Sequence, residues 1–423
     1  MQAPDVIATP EAPHPRADRR LASLDGLRGL AALSIFVFHG WLYTMPEPSA
    51  TDRSSVGDYA VHELRLGLVL FFVLSGFLLS RPWFAAALGE RRPPGIGRYV
   101  RTRAARILPA YYVALAGSIL LLWGLQGTPG LRLPPAAELP LFLVFGQNLS
   151  PGSVMKLNPP MWSLAVEVSF YTVLPAIGWL ALRLPRRRNA LAIVPLALLA
   201  VGVLYNWTIA GQGLSMTFSK TLAAMLPYFA LGMLAALIAH GRTIDMGSKR
   251  LLVTAGVALV VADAFAKAAV PARGIDATML FSIMRDMPSA VGFALIVGAF
   301  SIAPRSRVLG GRVLPALGVI SYGFYLWHVP VLIILRGYDL LPLNPFLGTA
   351  VALIPSLALA ALSWFLCERP VLRWSARRER RKAAPPASEA PLGRRGADGR
   401  ERVGGGEVSG RELAGRKVST IRP

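Results

Sequence analysis

The chain has 423 residues, 54% of them hydrophobic, and its 45 Lys and Arg against 23 Asp and Glu leave a net charge of +22. Apolar runs close to the roughly 20 residues that cross a bilayer recur along it, which excludes a soluble multidomain protein. One cysteine, Cys367, excludes an internal disulfide and a CxxC zinc framework, and no HExxH, Walker A or GxGxxG sequence supports metalloprotease, ATP-driven or dinucleotide chemistry.

Residues 1–20 are polar, rich in Pro and Ala, and expected to be disordered. No basic stretch leads directly into a short apolar core with a small-residue cleavage site, so the first apolar segment, 24–43, reads as a retained helix. It carries Arg28 and His39. Ionisable side chains inside a membrane helix are costly and by default functional. Eleven residues at about 1.5 Å each put the two groups roughly 16 Å apart along the axis. The plainer reading of His39 is a packing histidine bonded to a neighbouring backbone carbonyl.

Further spans are expected at about 65–82, 108–125, 161–182, 190–208, 219–240, 251–270, 284–303, 313–335 and 347–367, about ten in all. The stretch 138–146 is too short to span and reads as interfacial or re-entrant. Basic residues cluster in alternate loops: Arg91, Arg92, Arg98 and Arg101, then Arg186 to Arg188, then Arg242, Lys249 and Arg250, then Arg305, Arg307 and Arg312. This distribution argues against nucleic acid as partner. It is the positive-inside pattern, and with an even number of spans it puts both termini in the cytoplasm. Residues 376–423 read as a disordered basic tail suited to anionic lipid headgroups.

Depth follows from topology. His39 and His328 each lie about fifteen residues into spans running outward. Glu167 lies about six residues into a span running inward from Met161. All three fall in the outer half of a core about 30 Å thick. A neutral imidazole accepts a proton from a hydroxyl near neutral pH, and a carboxylate beside it fixes the tautomer and stabilises the imidazolium. On the cytoplasmic side, Arg103 and Arg106 share a helix face, and paired guanidinium forks suit phosphates. The plainer reading of these arginines is juxtamembrane anchoring.

These residues form a pattern: Arg28 and His39 with ten residues between; Phe71-Phe-Val-Leu-Ser-Gly-Phe77; Arg103-x-x-Arg106; Met161-Trp-Ser-Leu-Ala-Val-Glu167; Ser321-Tyr-Gly-Phe-Tyr-Leu-Trp-His328; and Glu368-Arg-Pro370. In this order, over about residues 20–375, the chain resembles the integral-membrane acyltransferase family 3. Members of that family often carry an aspartate where this chain has Val69, so any role of that carboxylate is missing or reassigned here. Some relatives also carry a large esterase-like domain after the last span, for which the tail here is too short and too polar.

The resemblance implies an all-α, polytopic transmembrane acyltransferase domain over 21–375. Its implied activity is transfer of an acyl group, with acetyl the first guess, from acyl-CoA to a hydroxyl of a sugar, envelope glycan or glycosylated metabolite. It implies no bound cofactor or metal, with acyl-CoA as donor substrate. Arg28, Arg103 and Arg106 would hold the donor phosphates, and His39 would deprotonate the acceptor hydroxyl or relay the acyl group with support from Glu167. Trp162, Trp327 and His328 would line the acceptor site. The expected location is the inner (plasma) membrane. A proton-coupled transporter or flippase is the competing reading, weakened by the lack of an evident internal repeat.

Overall fold

A computed structural model describes residues 15–48, 56–212, 216–269, 286–303 and 306–383, and among them there is no strand. The helices are α1 (Pro15–Tyr43), α2 (Val56–Glu63), α3 (Gly67–Ala87), α4 (Ile96–Leu122), α5 (Leu139–Leu143), α6 (Met161–Arg183) and α7 (Arg188–Gln212). They continue with α8 (Met216–Ser219), α9 (Leu222–Ala239), α10 (Met246–Ala269), α11 (Met287–Ile302), α12 (Val313–Gly337), α13 (Pro345–Ser363) and α14 (Arg369–Ala383). The chain divides into residues 1–378 and 379–423, and the described part of the second unit is the end of α14.

Each expected span falls on a helix where residues are described. Seven of the helical stretches are long and apolar enough to cross a membrane by length and composition. Those carrying α1 and α10 are not among them, and α11 is a shorter apolar helix of 16 residues. Polar side chains interrupt both: α1 carries Arg28 and His39 within its apolar stretch, and α10 holds Lys249, Arg250, Asp263 and Lys267. Helix extends beyond the expected domain limits, with α1 starting at Pro15 and α14 reaching Ala383. Residues 1–14 and 384–423, expected to be disordered, lie outside the described residues.

Local chemistry sets several helix starts. The Asn344 side chain accepts hydrogen bonds from the backbone N–H of Phe346 and Leu347, with Pro345 in the first turn of α13. Thr221 caps α9 through the N–H of Ala224.

Packing then follows small residues, which let helix backbones approach closely in a membrane. The most extensive contact is α1 on α12, followed by α3 on α9. A Cβ on Gly318 of α12 would collide with the Asp25 carbonyl of α1, and one on Gly29 with the Leu314 carbonyl. Gly76 of α3 and Gly232 of α9 approach the Phe229 and Val73 carbonyls in the same way. The α1–α12 crossing runs the two helices side by side in one direction, so His39 and His328 arrive at the same level. The end of the bundle where α1, α4 and α12 begin is the basic end.

The stretch expected to be interfacial or re-entrant, 138–146, forms α5 and flanking turns packed on α4: the Tyr111 and Tyr112 hydroxyls donate to the Phe142 and Leu143 carbonyls at 2.7 and 2.8 Å. The following loop folds into the bundle. Leu157 and Met161 have no exposed surface, and the Asn158 amide donates to the Leu326 carbonyl of α12 at 3.0 Å. The start of α6 therefore lies at the level of Leu326.

Candidate active site

The α1–α12 contact brings the two imidazoles together. His328 Nε2 is 3.0 Å from His39 Nδ1, and the ring centroids are 5.0 Å apart. His39 Nδ1 also lies 3.1 Å from the Ile35 carbonyl, and His328 Nδ1 lies 3.2 Å from the Phe324 carbonyl. His328 is buried at 1% exposure, whereas His39 is partly exposed and lines a cavity of about 220 Å³.

That cavity is lined by apolar residues, among them Phe38, Leu68, Val69, Phe72 and Met225, and by the polar residues Arg65, Lys220, Tyr228 and Asp286. Trp162 forms part of its wall, and the Lys220 ammonium sits 4.1 Å from the Trp162 ring centroid. Arg65 binds Asp286 through both terminal nitrogens, at 2.8 and 2.9 Å, and also reaches Glu63 at 3.1 Å. Lys267 bridges Asp286 and Asp263, and Ser289 donates to Asp263. Sequence reasoning missed Arg65, Lys220 and Asp286. Arg65 and Asp286 are 221 positions apart, and no local spacing signals the pairing.

Glu167 does not join the histidines. It lines a second, smaller cavity of about 50 Å³ with Arg28, Ser163, Ser321 and Tyr322. Its carboxylate accepts from Ser75, in the Phe71–Phe77 run, at 2.6 Å and from Tyr171. The depth count from sequence assumed that α6 begins at the membrane surface. Because α6 begins inside the bundle, Ser163 is level with Tyr325, whose hydroxyl it meets at 2.7 Å. Glu167 then lies a turn toward the basic end, and His328 nearly a turn the other way. Leu68, Phe72 and Tyr325 line both cavities, so the two chambers are neighbours that share these residues.

The two arginines of the Arg-x-x-Arg element diverge. Arg103 lines a cavity of about 440 Å³ at the basic end, together with Arg91, Arg92, Arg98 and Tyr99. Arg106 pairs with Glu368 at 3.0 Å, and Glu368 has no exposed surface. Arg106 also lies near the Trp364 and Tyr322 rings. Trp162 lines the cavity of His39. Trp327 is instead set against Gly117 of α4 and is in the lining of neither the His39 nor the Glu167 cavity.

Apolar spans enclosing an imidazole pair and two adjoining cavities with ionisable side chains in their walls describe a membrane-embedded protein with a polar site inside its helix bundle. The chain belongs to acyltransferase family 3: the family model, described as an acyltransferase domain, matches residues 21–365. It carries that family's acyltransferase domain over most of its length and is a multi-pass membrane protein. It is 32% identical over 174 residues to the acyltransferase MdmB of Streptomyces mycarofaciens, covering 40% of this chain and 42% of that protein. It is 24% identical over 382 residues to the O-acetyltransferase OatA of Staphylococcus aureus, covering 84% of this chain and 57% of that protein. A membrane-bound transacylase of Komagataeibacter xylinus, BcsY, is 27% identical over 375 residues, covering 85% of this chain and 84% of that protein. The chain thus spans about half the length of the first two relatives. No solved structure matches it.

Proposed function

We propose that this protein transfers an acyl group, acetyl first among candidates, from acyl-CoA to a hydroxyl of a sugar, an envelope glycan or a glycosylated metabolite. The observation that carries the reading is the placement of His39: its ring lines a chamber large enough for part of a sugar, beside a smaller chamber holding Arg28 and Glu167. The relatives named as acyltransferase, O-acetyltransferase and transacylase support the reaction class.

In this reading the donor approaches from the basic end, taken as cytoplasmic in the plasma membrane. Its phosphates meet Arg103 and the arginines around it, where guanidinium forks suit them. Arg28 and Glu167 line the inner passage toward His39. Arg106, bound to Glu368, braces α4 against the α13–α14 junction. The acceptor occupies the outer chamber with one ring face on Trp162, an aromatic surface suited to the apolar face of a sugar. His39 takes the hydroxyl proton, and the oxygen attacks the thioester carbonyl.

Two experiments test this. Full-length protein in nanodiscs, given labelled acetyl-CoA, is expected to release CoA and transfer label to a glycan acceptor. Mass spectrometry of envelope glycans and secreted metabolites from a deletion strain should show the loss of one acyl mass, naming the acyl group and the acceptor. Unchanged acylation in the strain together with no turnover of acetyl-CoA by the protein would defeat the reading.

A further inference from the structure

Hydrogen-bond chemistry around the two histidines leaves a single consistent protonation pattern. A backbone carbonyl only accepts, so His328 Nδ1, 3.2 Å from the Phe324 carbonyl, carries the proton. In the neutral ring, His328 Nε2 is then a bare acceptor. His39 Nδ1 faces that acceptor at 3.0 Å and the Ile35 carbonyl at 3.1 Å, so it too carries a proton. The remaining nitrogen, His39 Nε2, has no hydrogen-bond partner among the described residues, and its ring lines the outer chamber.

We propose that His328 is a positioning residue which fixes the tautomer and orientation of His39, so that the bare lone pair of His39 Nε2 faces the acceptor hydroxyl. This deepens the reading of His39 as base and rests on it. The acceptor O–H proton passes to His39 Nε2 as the acceptor oxygen bonds to the acyl carbon. The C–S bond breaks, its electron pair leaves on sulfur, and the Nε2 proton passes to that thiolate to give the free thiol. Throughout, the Nδ1–H of the transient imidazolium stays bonded to His328 Nε2, the part a carboxylate plays in a triad. Glu167, in the neighbouring chamber with Arg28, is not placed for that part.

The test uses full-length protein in nanodiscs with ring-15N-labelled histidine. The chain has five histidines, so the His39 signals are assigned by their loss in His39→Gln. The expected wild-type spectrum has the proton of His39 on Nδ1 and a bare Nε2. His328→Ala should relax this toward a mixture of tautomers and lower kcat about 100-fold, the scale of a small misplacement at a reacting centre, with both KM values unchanged. His328→Gln, whose carbonyl oxygen can still accept from His39 Nδ1, should restore most of kcat. A wild-type His39 protonated on Nε2 would overturn the proposal, whatever the variants do. So would His328→Ala with an unaltered His39 tautomer and kcat, since the Ile35 carbonyl would then suffice. His39→Ala, assayed in parallel, separates the two claims. Full activity there would remove the base assignment, while the 15N spectra would still decide whether His328 sets the tautomer.

Discussion

At the scale of single residues, His39 carries the sharpest consequence. Its replacement by Ala is expected to lower acyl transfer by about two to four orders of magnitude, the usual worth of a general base, with expression and membrane insertion unchanged. Transfer assays on membranes matched for protein level check this. Arg103 and Arg106 sit three residues apart, yet the structure separates their roles. Arg103→Ala should raise the KM for acyl-CoA and leave thermal stability nearly intact, and Lys should rescue only in part because it lacks the fork. Arg106→Ala should instead destabilise the protein by about 3 kcal/mol, because it strands the fully buried Glu368 carboxylate without its cation. Thermal melts beside donor-dependence curves distinguish the two. Equal KM effects with no loss of stability at Arg106 would contradict the pairing.

At the scale of elements, two devices hold the chamber of His39 in shape. One is the close crossing of α1 and α12. Gly318→Val is expected to force the helices apart, costing about 1–3 kcal/mol as overpacking does and separating the imidazoles. Its activity loss should exceed what its melting temperature implies; full activity would show that the crossing does not position His39. The other device is the ion network that ties the start of α3 to α10 and α11 through Arg65, Asp286 and Lys267. Asp286→Asn removes the charge that Arg65 and Lys267 share and is expected to lower the melting temperature, because it leaves two cations facing each other without their common partner. An unchanged melting temperature would show that the network does not hold these helices together.

At the scale of the whole molecule, the alternating basic loops predict a bundle with both termini in the cytoplasm. A reporter active only outside the cytoplasm should be silent when fused after Trp374 and active when fused in the 126–160 loop. The reverse pattern would invert the direction in which donor and acceptor approach. The large cavity lined by Arg91, Arg92, Arg98 and Arg103 sits at the end that this topology makes cytoplasmic, the side where a polyphosphorylated donor is available. Positive-inside anchoring and donor binding are thus compatible uses of one set of charges, and the KM measurement on Arg103 separates them.

The helical class and the residue types of the site are legible in the linear sequence. Apolar run length, loop charge and isolated ionisable residues are local signals that need no partner to be visible. It also singled out His39 and His328, because an imidazole deep in an apolar helix is conspicuous wherever the helix packs. Which of these residues meet was decided by tertiary structure. The histidines touch because Gly29 and Gly318 let α1 and α12 run side by side. Glu167 lies in another chamber because the loop before α6 folds inward, so counting residues from a supposed membrane surface misplaced its depth. Trp327 turns to Gly117, and Arg106 to Glu368, for reasons of helix rotation that a linear motif does not encode. The Arg65–Asp286 pair spans 221 positions, and only the packing of α3 beside α11 gives those two charges a common wall.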